Sequence, residues 1–306
     1  MEANTILYII LTITVVSYLF DQILDFINLK SQRTDIPKVI EAFYEKEKYL
    51  KSLAYHRERA VFSLFTSGFS FILSLILLLN GGFGWIDSLL RPYFDNEILL
   101  ALAFFGVLML ASDILTIPFQ WYSTFVIEEK YGFNRTTVKT FVSDKLKGYL
   151  LAAIVGGSLL SVLIYLVQTI GPDFWIWFAL LAAVVVLFIN MFYTSLILPM
   201  FNKLTVLPDG ELKTEIEKFS QKVKFPLDNI FIIDGSKRSK KANAFFSGIG
   251  KRKRSFYTTR LLRIIPRMNS LRSLLMKLDI LKKSILSGDT YFLSFRSCSP
   301  YLYCRV

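Results

Sequence analysis

The chain carries one histidine, His56, and two cysteines, Cys298 and Cys304, among 306 residues. With so little histidine, a metal site or catalytic triad built on imidazole is not expected. Two cysteines are too few for a small disulfide-stapled scaffold. Charge is scarce over long stretches, because the 20% of residues that are charged fall in blocks. What is abundant is apolar: 53% hydrophobic residues, 28 phenylalanines and a mean hydropathy of +0.46. That balance excludes a disordered chain and an ordinary soluble domain, and it points to the membrane.

About 20 mostly apolar residues are needed to cross the hydrocarbon core. Five segments qualify: 3–20, 61–79, 98–119, 149–170 and 174–199, with Asp113 the one charge inside them. The first lacks the basic start and small-residue cleavage site of a signal peptide, so it reads as a span. Lys and Arg then sort by connection. There are none before residue 20, eight in 21–60, one (Arg91) in 80–97, five in 120–148, none in 171–173 and 22 after residue 200. By the positive-inside rule the N-terminus is expected to be lumenal or extracellular and the C-terminus cytoplasmic. The net charge of +12 is mostly this sorting, so it calls for no nucleic-acid partner. Asn134-Arg135-Thr136 is a formal glycosylation acceptor, but it falls in a loop assigned to the cytoplasm and should stay unmodified.

Polar positions inside the spans are few. Asp113 either faces a water-filled cavity between helices or snorkels toward the cytoplasmic end, capping a break before Pro118. Asn190 reads as an interhelical hydrogen bonder. Glu128 and Glu129 are adjacent on a helix and so point about 100° apart, which makes them a poor acid/base pair. His56-Arg57-Glu58 resembles a fragment of a zinc motif, but a second histidine is missing and His56 reads as a surface residue.

After Pro199 the character becomes that of a soluble domain. Leu207-Pro208-Asp209-Gly210 is a turn leading into an amphipathic helix over 211–223. Ile230-Phe231-Ile232-Ile233 is an apolar strand, and a basic loop (SKRSKK) separates it from a second extended stretch, 243–247.

Three stretches carry a family resemblance: Glu128 to Thr137 (EEKYGFNRTT), Pro199-Met200-Phe201-Asn202-Lys203, and Phe225 to Gly248 (FPLDNIFIIDGSKRSKKANAFFSG). Over roughly residues 1–254 the chain resembles the type I CAAX prenyl proteases, multi-spanning zinc metalloendopeptidases of the endoplasmic reticulum membrane. The resemblance implies helices around a water-filled chamber, and removal of the last three residues from prenylated protein C-termini. It also implies an edge strand that holds an extended substrate by main-chain hydrogen bonds, here matched by Asn243, Ala244, Phe245 and Phe246. Phe245 and Ser247 stand where the family leads one to expect tyrosine, and Lys241 where it leads one to expect histidine.

The expected fold is therefore an α-helical multi-pass membrane protein. About five transmembrane helices over 1–200 precede the start of a small cytoplasmic α/β protease-like domain over 201–254, and a basic, serine-rich tail over 255–306 lies outside the resemblance. The family's chemistry rests on H-E-x-x-H plus a later glutamate, and this sequence contains no such motif. The chain as written is accordingly expected to carry no zinc and no catalytic residues. The expected partners are the lipid bilayer, prenylated C-termini and, to cover interior surface, another membrane chain. In the tail, Leu271, Leu274, Leu275, Leu278, Leu281 and Ile285 have helical spacing with basic residues interleaved. That allows an amphipathic helix on an anionic leaflet, while an altered reading frame or splice pattern is the other account. Cys304 is third from the end, so the chain is not itself a CaaX substrate.

Overall fold

A computed structural model describes residues 3–32, 34–36, 45–222, 227–241, 244–247 and 253–259. Asn243, the 271–285 pattern and both cysteines lie outside these residues. The helices are α1 (Ala3–Lys30), α2 (Lys46–Leu79), α3 (Gly82–Leu90), α4 (Glu97–Tyr122), α5 (Glu128–Lys130), α6 (Val138–Leu151), α7 (Gly157–Ile170), α8 (Phe174–Phe192), α9 (Leu198–Phe201) and α10 (Glu211–Lys222). The chain divides into two compact units, Met1–Gly132 with Leu160–Gln168, and Phe133–Leu159 with Thr169–Val306.

All five expected spans lie within these helices. Four stretches are long and apolar enough to cross a membrane: Asn4–Lys30, Lys46–Leu79, Glu97–Lys130 and Val138–Phe201. The last is 64 residues long and contains both of the final expected spans. A 3₁₀ turn, Gly171–Asp173, interrupts it, and Gly171 sits at φ 69°, where a side chain would be strained. One-turn π-helical segments follow α4 at Ser123–Ile127, α6 at Ala152–Gly156 and α8 at Tyr193–Ile197. α4 runs unbroken through Pro118, so Asp113 caps no break there. Its Oδ1 instead accepts from Gln120 Nε2 at 3.1 Å, and the same amide reaches Thr116 Oγ1.

In the first unit α1 and α2 meet through stacked rings, Tyr18 on Phe71 at 3.9 Å, and through Gln22 Nε2 donating to Ser67 Oγ at 3.0 Å. Phe62, Phe65 and Phe69 recur at helical spacing on α2 and surround Phe119 of α4. Such rings pack well in lipid, where hydrophobicity alone does not drive helices together.

In the second unit β1 (Leu204–Val206), β2 (Leu227–Ile233), β3 (Ala244–Ser247) and β4 (Lys253–Thr258) form one sheet in the order β1-β2-β4-β3. β2 and β4 are parallel, and the outer strands pair antiparallel. β4 carries the sheet past residue 254, the boundary expected from the sequence, because it is an inner strand that both β2 and β3 need as a partner. Register places Phe231, Phe256 and Phe245 side by side, with near-parallel rings at 5.3 and 5.0 Å. This row packs with Leu198, Ile233, Leu204 and Tyr193 as the core of that face. Ile230, Ser255 and Tyr257 are buried on the opposite face. α10 packs against β2 and buries Ile216 and Ser220, one helical turn apart.

Candidate functional site

Strand β3 is the expected peptide-holding segment, and it is an outer strand of the sheet, bonded to β4. Of the residues matched to it, Ala244, Phe245 and Phe246 lie on β3, and Asn243 lies outside the described residues. The Phe245 ring is half-buried in the three-phenylalanine row, so its side chain belongs to the core. Any contact β3 makes along its outer edge is therefore a main-chain one at this position.

The loop that leads into β3 is fixed from three directions at Arg238. Its Nε and Nη2 donate to the two carboxylate oxygens of Asp144 on α6, each at 2.7 Å. Its Nη1 donates to Asn202 Oδ1 at 2.9 Å, just past the end of α9. Its carbonyl accepts from the Arg135 backbone N–H and the Thr136 hydroxyl, both at 3.1 Å. Alongside it, Lys240 N–H donates to the Phe133 carbonyl at 2.9 Å, and Asn134 and Ser239 form an antiparallel bridge. The Lys241 ammonium lies 5.0 Å from the centre of the Phe133 ring. Parts of all three stretches that carry the resemblance thus converge on one residue, two of them through its main chain or side chain and the third containing it.

Local sequence explains the segment that meets it. Asn134 closes a turn on itself, its Oδ1 accepting from Thr136 N–H at 2.7 Å. Thr137 then caps α6 by accepting from Thr140 N–H at 3.2 Å. The turn also gives Asn134 a structural role distinct from that of a glycosylation acceptor.

The other half of the Glu128–Thr137 loop is anchored within the first unit. Tyr55 Oη donates to Glu128 Oε1 at 2.5 Å, and Arg59 lies 3.7 Å from the same carboxylate. Glu58 accepts from Lys130 Nζ at 2.8 Å and from the Tyr131 hydroxyl at 2.7 Å. These donors, Lys130 first and Tyr131 second, hold the Glu58 carboxyl below its ordinary range. Burial, together with the Glu58 charge, pushes the Tyr131 phenol up. Glu128 and Glu129 form no acid/base pair here; Glu128 is an anchor for α2. His56 lies half-buried on α2 with its ring edge-on to Tyr55.

Zinc, which the fold family implies, does not fit the donors in hand. Among the described residues no group of three or more His, Cys, Asp or Glu side chains converges, and no second histidine exists to join His56.

Sequence reasoning passed over Arg238, Asp144 and Tyr55. Arg238 stands in a run of cations with nothing local to separate it from Lys237 or Lys240. Asp144 did carry a signal: it is the lone acid between Glu129 and Asp173, set among Lys139, Lys145 and Lys147 at the head of an apolar run.

The family model described as CAAX prenyl protease N-terminal, five membrane helices, matches residues 25–203. That of peptidase family M48 matches residues 207–275, running past residue 254 as β4 does. The chain is 35% identical over 250 residues to CAAX prenyl protease 1 homolog of Arabidopsis thaliana, covering 78% of this chain and 58% of that protein. It is 37% identical over 231 residues to CAAX prenyl protease 1 of Saccharomyces cerevisiae, covering 72% of this chain and 51% of that one. The crystal structure of Ste24p from S. mikatae is similar with a TM-score of 0.77 at 31% identity, covering 92% of this chain and 69% of that one. The chain thus spans between about half and three fifths of the length of these curated relatives. With its membrane helices and its sheet both matched, it belongs to the CAAX prenyl protease family, peptidase family M48.

Proposed function

We propose that the chain binds the C-termini of prenylated proteins as an added strand on β3, and does not hydrolyse them as written. The observation that carries this reading is β3 itself. Among the described residues it is an outer strand, and the loop before it is fixed by Arg238, which pre-positions the strand for an added one. In this reading the polypeptide sits in the endoplasmic reticulum membrane with its N-terminus lumenal and its C-terminus cytoplasmic. The Lys/Arg sorting supports that orientation, and the exposed Trp85, Trp175 and Trp177 mark an interface without choosing a side. The family's reaction is tripeptide release by a zinc metalloendopeptidase. It needs the H-E-x-x-H that this sequence lacks, so we assign zinc and hydrolysis to full-length relatives.

A farnesylated peptide ending in a CaaX tripeptide, added to the purified chain, should bind with saturation, while its unprenylated twin binds more weakly. Residues 243 and 246 present their N–H groups to opposite edges of the strand, so whichever of Asn243→Pro and Phe246→Pro removes the outer-edge donor should abolish binding. No tripeptide should appear by mass spectrometry with zinc supplied. Release of tripeptide would overturn the non-hydrolytic reading, and equal binding by the proline variants would overturn the strand.

A second reading is a regulator that pairs with a full-length family member. It is favoured by Asp113, Thr116 and Gln120, a polar stripe on α4 that would cost energy against lipid. Co-purification of a tagged chain with a full-length relative, lost on Asp113→Leu, would support it.

A further inference from the structure

We propose that the paired segments 133–139 and 237–241, with Lys203, form a docking surface for the anionic headgroups of the leaflet next to them. This rests on the orientation proposed above only for which leaflet is meant.

Arg135, Lys139, Lys203 and Lys237 are exposed and Lys240 is half-buried. The backbone pairing of Asn134 with Ser239 and of Phe133 with Lys240 brings Arg135, Lys237 and Lys240 together. Lys203 joins them because its carbonyl accepts from Asp234 N–H and its neighbour Asn202 accepts from Arg238. None of these five cations has a carboxylate partner among the described residues. Arg238, in the middle of the run, is neutralised by Asp144 and does not count toward the surface.

The place is set by the helices of the same unit. Residues 149–170 and 174–199 carry no charge, and Lys147 Nζ donates to the Met200 carbonyl at 2.7 Å. That bond puts the ends of two apolar runs at one level, where a lysine snorkels. Arg238 reaches Asn202, two residues past Met200, so the cations begin where the hydrocarbon ends. A charge at that level acts on headgroups over about 8 Å, one Debye length at physiological salt.

The chemistry selects a leaflet over other polyanions. The cations are dispersed and none is deeply buried, so they form no pocket for a single phosphate. Among the described residues, the Phe133 ring carries the Lys241 ammonium over one face, which competes with the base stacking a single-stranded nucleic acid would use.

The test is the chain in phosphatidylcholine nanodiscs containing a small fraction of spin-labelled phosphatidylserine or spin-labelled phosphatidylcholine. Phosphatidylserine should be motionally restricted with about fivefold preference, the weight of one Lys or Arg near a surface. The preference should fall to parity in the variant Arg135→Gln, Lys139→Gln, Lys203→Gln, Lys237→Gln, Lys240→Gln, and stay when the same sites exchange Lys for Arg. If the glutamine variant does not fold, the unmodified chain decides. Its preference should vanish at about 1 M salt, where the Debye length is near 3 Å. Retention by a folded glutamine variant, retention at high salt, or loss only on neutralising Lys46, Lys51 and Arg57 of α2 would overturn the proposal. So would competition by inorganic phosphate beyond that of chloride at equal ionic strength, which would mark a site for a free anion.

Discussion

The guanidinium of Arg238 forks onto both carboxylate oxygens of Asp144, 94 residues earlier in the chain, at 2.7 Å each. Both side chains are about one quarter exposed, so the pair is only partly screened. The planar fork matches a carboxylate in a way that an ammonium cannot. Arg238→Ala should therefore cost roughly 2 to 3 kcal/mol by stranding Asp144 and Asn202, and Arg238→Lys should recover less than half of that. Thermal melting in detergent would measure the loss, and the exchange Asp144→Arg with Arg238→Asp should recover part of it. If Lys proves as good as Arg, the fork is not what holds the loop.

The Glu58 carboxylate, held below its ordinary range by Lys130 and Tyr131, predicts an acid limb. Its contribution is fully present above the ordinary carboxylate value and disappears as pH falls through the lowered one. Melting temperature should drop across that window in the unmodified chain, and the drop should be shallower in Glu58→Gln. Equal acid limbs in both proteins would remove Glu58 from the account.

How far the sequence exposed this molecule depended on the range of the interaction. Spans and the strand around Ile230–Ile233 follow from periods and runs within 20 residues, and the helices contain every expected span. β4 was not expected: the boundary drawn at residue 254 cuts through KRSFYT, and only its pairing with β2 and β3 makes it an inner strand. Phe245 was matched to substrate because it lies on an edge strand, yet alternation along four residues sends its ring to the core. The Arg238 junction joins three stretches remote in sequence, 135–144, Asn202 and Arg238 itself, and no local pattern records such a meeting.

Gly132 adopts φ 72°, and its N–H donates to the Glu129 carbonyl at 2.8 Å, closing the turn between the two halves of the Glu128–Thr137 loop. A Cβ there would meet no atom within 4 Å, so any cost of Gly132→Ala is backbone strain alone. About 1 kcal/mol is expected, with Gly132→Asn costing less because asparagine tolerates this region. A melting series of glycine, asparagine, alanine and valine should fall in that order. Alanine matching glycine would show that the turn relaxes.

Phe245 offers a way to separate the sheet from its edge. Phe245→Leu keeps the row apolar and should lower stability by about 1 kcal/mol while leaving farnesyl-peptide affinity within twofold or so. Phe245→Ala should lower stability by roughly 2 to 3 kcal/mol, since the ring is half-buried rather than enclosed. Peptide titration beside melting would check both. A Leu variant that melts normally but no longer binds would assign the ring, and not the backbone, to the ligand.

Tyr257 is buried on the face of β4 opposite the phenylalanine row, and its hydroxyl has no hydrogen-bond partner among the described residues. Burial disfavours the phenolate and pushes the phenol up to about 12 from an ordinary value of 10.0. Below the ordinary value both folded and unfolded chains hold the proton. Between the two values the unfolded chain releases it and the folded chain does not, so each pH unit costs about 1.4 kcal/mol of stability. Roughly 2 to 3 kcal/mol should be lost in all before both states are ionised. Other tyrosines and lysines titrate in the same range, so the informative quantity is the difference from Tyr257→Phe. Phenylalanine fills the same space, has nothing to ionise and removes the unpartnered hydroxyl. At neutral pH it should therefore be no less stable than tyrosine. On alkaline titration the two melting curves should part by several degrees, the phenylalanine chain remaining folded longer. Curves that stay parallel up to pH of about 12 would mean that a donor, for which the Ser255 hydroxyl is placed, stabilises the phenolate and offsets its burial.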